Sequence, residues 1–135
     1  MKIVAVLETM WGDRPGRAPR FFQINPDNNS GRRLYKLVGE EHQLLVTNAC
    51  KELVTSANKH GKPDPKWLAD NLSRAHKADI ILVCGKVAQK TYWQAVELFA
   101  LCVHSGQRVY HIPHPAARRW TKKRLQEVHR NIFGE

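Results

Sequence analysis

Long apolar runs are missing from this chain. The run nearest the N-terminus, Ile3-Val4-Ala5-Val6-Leu7, stops at Glu8. That is too short for a bilayer span, which takes about 20 residues, or for the core of a secretory leader. Cysteine is scarce: Cys50, Cys84 and Cys102 are odd in number and have no C-x-x-C spacing. This excludes a disulfide framework and fits buried thiols in a reducing compartment. Cys102 with His104, or His42 with Cys50, lacks the two-plus-two spacing of zinc sites, so neither metal nor cofactor is expected. No internal repeat, linker or low-complexity tract interrupts the chain. Acidic residues are few, 12 against 22 Lys and Arg, giving a formal charge of +10. Charge of that size bears on partners rather than fold, and a polyanion is the natural partner. The reading is a soluble, cytoplasmic, monomeric protein with no membrane association.

What is present suffices for one hydrophobic core. With 135 residues, 42% of them hydrophobic, the chain reads as a single domain over 1–135. Four runs, Lys2–Leu7, Gln43–Thr47, Asp79–Cys84 and Arg108–Ile112, are rich in Val, Ile and Leu and do not alternate. That pattern predicts parallel strands covered on both faces. Helical patterns between them predict crossovers, hence an α/β fold: a three-layer αβα sandwich on a four-stranded parallel sheet.

The clearest helix starts at Asp64-Pro65, an N-cap followed by proline in the first turn. It buries Trp67, Leu68, Leu72 and Ala75 and should end near Lys77. A second, about Lys86 to Val103, turns Ala88, Tyr92, Ala95, Val96, Phe99 and Val103 inward, with Ser105-Gly106 as its stop. A third opens with Thr121 as cap and buries Leu125, Val128 and Ile132, and a short one covers Gly31 to Val38. Thr9 to Ser30, with Gly12, Pro15, Gly16, Pro19 and Pro26, should be a long irregular loop of the functional kind.

Ligands of open parallel sheets bind outside the carboxyl ends of the strands. The residues that follow the four runs therefore belong together: Glu8-Thr9-Met10-Trp11-Gly12, Thr47-Asn48-Ala49-Cys50, Gly85-Lys86 and Pro113-His114-Pro115-Ala116. In this order they resemble the uracil-DNA glycosylase superfamily, nearly end to end. Ser30-Gly31-Arg32-Arg33-Leu34 is similar to that family's helix start after the first loop. Leu44-Leu45-Val46-Thr47-Asn48 resembles its strand ending in a base-reading Asn, Leu82-Val83-Cys84-Gly85-Lys86 its third strand, and Ile112-Pro113-His114-Pro115-Ala116 its His-Pro-Ser motif. The first motif keeps its acid at Glu8 but lacks the family's leading Gly and its Pro, and Ala116 replaces the Ser that helps engage DNA phosphate. The four-cysteine pattern of the iron-sulfur branch is absent, so no cluster is implied. Short domains of this kind are often phage-encoded, which would place the protein in a host cytoplasm.

The resemblance implies DNA, single- or double-stranded, as partner and hydrolysis of the N-glycosidic bond of uracil or another damaged base. Breaking that bond leaves an oxocarbenium-like sugar, which a carboxylate stabilises while orienting water; Glu8 is the candidate. The departing base carries negative charge, and His114 is placed to donate to it. An amide reads both donor and acceptor on a pyrimidine edge, the role of Asn48, and Phe22 is the candidate stacking ring, with nothing in the sequence to separate it from its neighbour Phe21. Each has a plainer alternative: Glu8 and Asn48 as turn or capping groups, the two Phe side chains as loop anchors. His111 reads as a core histidine; Asp70, His76 and His104 read as solvated or structural.

The basic stretch Arg118-Arg119-Trp120-Thr121-Lys122-Lys123-Arg124 begins directly after His114-Pro115. It would grip phosphates at the crevice rim, with Trp120 as a stacking or wedging surface. Arg14, Arg17, Arg20, Arg32 and Arg33 join that side if the loop folds over the crevice. Two functions remain open: a base-excising hydrolase, or a non-catalytic nucleic-acid-binding or regulatory module on the same fold.

Overall fold

A computed structural model describes residues 1–56, 61–118 and 120–134; Arg119, one of the expected phosphate contacts, lies outside the described residues. Strands β1 (Lys2–Leu7), β2 (Gln43–Asn48), β3 (Ile80–Cys84) and β4 (Arg108–Ile112) alternate with helices α1 (Asn29–Val38), α2 (Pro65–Ser73), α3 (Gly85–Phe99) and α4 (Lys122–Phe133). Every strand pair is parallel, in the order β2-β1-β3-β4. The crossovers diverge between β1 and β3, so the crevice beyond the carboxyl ends of these two strands is the switch point at which such sheets bind ligands.

The two faces of the sheet bury separate cores. Ile3, Ala5, Leu7, Val46, Leu82 and Ile112 pack against Leu34 and Leu37 of α1 and Val128 and Ile132 of α4. Val4, Val6, Ile81 and Val83 pack against Leu68 and Leu72 of α2 and Ala88 and Tyr92 of α3. This is the expected three-layer α/β sandwich, and it explains why the central strands lack alternation: both faces are covered. Among the described residues no helix is long and apolar enough to cross a membrane.

Several expectations are corrected. β4 is covered only in part: it is an edge strand whose Val109 and Tyr110 pack against opposite cores while Arg108 and His111 are exposed. His111 is thus no core histidine: its ring stacks on the exposed Trp93, centroids 5.7 Å apart. Helix α3 stops at Phe99 because Ala100 turns left-handed at φ 53°, which leaves Phe99 and Val103 largely exposed. A non-glycine residue in that conformation gives no stop signal in sequence. Helix α2 ends at Ser73 rather than Lys77, because the amides of Arg74 and Ala75 tighten onto the carbonyls of Asn71 and Leu72. Cys50 and Cys84 are buried as expected, but Cys102, past the shortened helix, is exposed.

The connection from β1 to α1 is irregular over its whole length, as its glycines and prolines require. It is nevertheless tied down. Phe22 exchanges two backbone hydrogen bonds of 2.9 Å with Val46, in an antiparallel bridge along the outer edge of β2. The amide of Gly12 donates to the carbonyl of Val54, and that of Val54 to Met10.

Candidate functional site

A cleft of about 560 Å³ opens at the carboxyl end of β1. Leu7, Glu8, Trp11, Phe22, Asn28 and His114 are among its lining residues, so three of the four residues proposed for chemistry and base contact share one cavity. Glu8 enters it because the strand ladder continues past the end of β1: the amide of Ala49 donates to the carbonyl of Leu7, and that of Cys50 to Glu8. Phe22 reaches it through the bridge to Val46, while Phe21 packs on the opposite core with α2 and α3. The parity of the bridge thus separates two adjacent phenylalanines.

Asn48, the fourth, stands behind the cleft. It is in register with Leu7 and two residues along β2 from Val46, and it is fully buried. Among the described residues neither its Oδ1 nor its Nδ2 has a hydrogen-bond partner. A buried amide without partners costs about 1–3 kcal/mol, and such groups are rare.

His114 is fixed from several sides. The amide of Ala116 donates to its Nδ1 at 3.0 Å, the indole of Trp120 donates to its carbonyl at 2.7 Å, and the Arg33 guanidinium donates to the carbonyls of Pro115 and Ala117 at 2.6 and 2.8 Å. A ring nitrogen that accepts an N–H carries no proton, so the neutral ring places its proton on Nε2. Burial lowers the His114 pKa from its usual value, and the nearby Glu8 charge acts in the opposite sense. Gly85 makes room: it has φ +87°, and a Cβ there would lie 3.0 Å from the Cβ of His114. At the cleft's far lip, Asn28 caps α1 by accepting from the amide of Gly31, whose missing side chain lets the helix start against the Asn25 carbonyl.

On its other side His114 borders a second cleft, with Gly85, Lys86, Gln89, His111 and Arg124. Lys86, expected at the crevice, therefore faces away from Glu8. Burial pushes the Cys50 thiol up to about 11, with Glu8 and Asp64 adding to the shift, so this cysteine beside Glu8 is a thiol rather than a nucleophilic thiolate.

The basic rim is present in part. Arg118, Lys122, Lys123 and Arg124 are exposed, although Arg124 also lies 3.5 Å from Glu127. Arg32 is exposed and donates to the Asn29 side chain. Trp120 is not a free wedge: its ring packs against the core and its N–H is committed to His114. Trp11 is instead the exposed aromatic at the cleft, 62% accessible, on a backbone tied to Val54. The sequence reading overlooked it, although a Trp beside Gly12 in a long loop was the available signal. It also overlooked that Arg33 braces the His114 turn.

The fold and this arrangement agree with the comparison to known families. The profile of the uracil DNA glycosylase superfamily matches residues 10–133, and the chain belongs to that superfamily. No curated protein matches it.

Proposed function

We propose that this protein is a DNA glycosylase that hydrolyses the N-glycosidic bond of uracil or another damaged base. The observation that carries this reading is Asn48: a fully buried amide with both polar atoms unpartnered, placed behind a cleft that holds Glu8, Phe22 and His114. An extruded pyrimidine would supply the donor and acceptor that Asn48 lacks, stack on Phe22, and offset the cost of leaving the amide unsatisfied.

The chemistry follows from the positions. As the bond from C1′ to the base nitrogen breaks, its electron pair leaves with the base and negative charge collects on the base carbonyl. The neutral His114, donating from Nε2, meets that charge at no cost in prior deprotonation. Glu8 faces the sugar, where its carboxylate stabilises the oxocarbenium-like centre and orients the water that attacks C1′; the proton that this water sheds passes to the carboxylate and finally to the departed base, leaving a sugar hydroxyl and a base N–H. Arg118, Lys122, Lys123, Arg124 and Arg32 hold the flanking phosphates in the absence of a serine at position 116, and Trp11 offers a stacking surface at the mouth.

A second reading, a nucleic-acid-binding module without catalysis, is favoured by one observation: Asn48 is fully buried and does not line the cleft, so a base in the cleft does not meet it without a rearrangement. One experiment separates the two. The protein is incubated with a uracil-containing single-stranded oligonucleotide and then with alkali. The enzyme reading expects strand scission that is lost in Glu8→Gln. Salt-dependent binding without scission, on uracil, mismatched and oxidised bases alike, would leave only the module.

A further inference from the structure

A second charged cavity, of about 210 Å³, lies between the loop and α2, and base excision makes no use of it. Arg17, Arg20, Lys51 and Lys66 line it with Trp67 and the carboxylates of Asp64 and Asp70. The loop arginines were expected over the crevice; the backbone draws two of them here instead. Arg17 bridges Glu52 in antiparallel fashion, and the amide of Ala18 donates to the carbonyl of Lys51 at 2.8 Å. The segment after β2 thereby brings Lys51 beside them.

Arg20 is exposed, yet it is held as buried residues are. Its Nη1 donates to Oδ1 of Asn71 at 2.8 Å, and Nδ2 of Asn71 donates to Oγ1 of Thr47 at 3.1 Å. Asn71 and Thr47 are both fully buried. The guanidinium carbon also lies 5.2 Å from the centroid of Trp67, and Nζ of Lys51 lies 6.0 Å from the same centroid. Among the described residues none of the four cations makes an ion pair, and Asp64 is occupied in capping α2. The cavity therefore keeps an excess of positive charge. Among its lining residues Arg20 is a planar donor whose rotamer is already fixed and whose other N–H groups make no hydrogen bond among the described residues.

Position identifies the anion. Thr47 immediately precedes Asn48 on β2, and their side chains alternate to opposite faces of the sheet. The cavity is therefore at the same strand end as the cleft, on the α2 side of β2. We infer that it is a phosphate subsite for a polynucleotide strand that continues past the base cleft across the sheet's carboxyl edge, with Arg20 as its preorganised contact. This rests on the nucleic-acid reading of the cleft but not on catalysis.

The test is fluorescence anisotropy of oligonucleotides about 6 and about 20 nucleotides long, with and without uracil, across a potassium chloride series. Removing one phosphate contact should lower the slope of log affinity against log salt by about one unit, whatever the base. The expected result is that loss for Arg20→Ala, and for Lys51→Ala with Lys66→Ala, on the long oligonucleotide only, with Arg20→Lys intermediate because it keeps charge but not the fork. Circular dichroism and urea midpoints check that the variants fold; because Arg20→Ala also unpairs Oδ1 of buried Asn71, the Lys51→Ala with Lys66→Ala variant, which leaves that bond in place, carries the test independently. An unchanged slope on the long oligonucleotide in both variants overturns the subsite. So does a loss confined to uracil-containing strands, which would trace it to the base cleft. Inorganic phosphate, followed by NMR of the Trp67 indole, covers the remaining source: perturbation by phosphate with no oligonucleotide effect overturns the polynucleotide assignment. Absence of excision by the wild-type protein alongside the predicted slope change would sink the glycosylase reading and leave the subsite standing.

Discussion

The backbone amide of Ala116 donates to Nδ1 of His114 at 3.0 Å, and this one bond decides which ring nitrogen faces a ligand with a proton. A serine hydroxyl is absent from position 116, but the main chain there still sets the tautomer. The geometry that makes His114 a neutral donor is therefore independent of the side chain that differs from the family motif.

A pH dependence follows. Burial holds the folded pKa of His114 below its usual 6.5, so as pH falls through about 6.5 the unfolded chain takes up a proton that the folded chain resists. The stability this provides is complete above 6.5 and is lost with acidification until pH drops below the folded value. Urea midpoints of the wild type should fall between about pH 7.5 and pH 5, and His114→Gln should fall less. His111 is exposed overall, but its ring lies against Tyr92 and Trp93, and the partial desolvation lowers its pKa, which leaves a small residual slope in the variant. An equal fall in both proteins would remove His114 from the account.

Asn48→Leu should stabilise the protein while abolishing excision. Leucine is close in size to the amide and takes away two unpartnered buried polar atoms, so the expected gain is about 1–2 kcal/mol, read from denaturant midpoints. A loss of stability would mean that Asn48 contributes to folding and is not held in reserve for a ligand.

Gly85→Ala forces a side chain into the left-handed region and against His114 at once. The expected cost is about 1–3 kcal/mol in chemical denaturation, with any excision rate falling alongside it. Full activity in this variant would show that the position of His114 is less constrained than the contact implies.

The two tryptophans should separate cleanly. Trp11→Ala is expected to weaken single-strand binding by about 1–3 kcal/mol and to change stability by less than about 0.5 kcal/mol. Trp120→Phe, which removes the N–H that holds the His114 carbonyl, should reduce stability and excision with little effect on binding. Titration calorimetry and thermal melts distinguish the pair, and reversed results would return the stacking role to Trp120.

Strand positions were legible in the sequence because a strand covered on both faces has to be apolar throughout, and β1 and β3 lie within a residue of where their apolar runs placed them. β4 was legible in extent but not in environment, because a five-residue run does not say whether it closes an edge. The caps of α2 and α4 were legible in Asp64 and Thr121, whose side chains accept from the third amide on. The end of α3 was not, since Ala100 adopts a conformation that usually calls for glycine. At the cleft, strand-end logic brought Glu8 and His114 to one cavity and Asn48 to the same edge of the sheet, because residues that follow strands share one edge whatever the loops do. Arg32 and Arg33 show the limit: adjacent in sequence and identical in chemistry, one faces solvent and the other holds two carbonyls of the His114 turn. Only the rotation of α1 against the turn decides between them.

The Phe22 bridge to Val46 has a colloidal consequence. The same two hydrogen bonds that aim a ring into the cleft also occupy part of the outer rim of β2, where bare amides and carbonyls would otherwise recruit a strand from another molecule. Loosening this segment to widen the cleft would therefore also uncover that rim and favour self-association, so cleft width and colloidal behaviour are coupled through this contact.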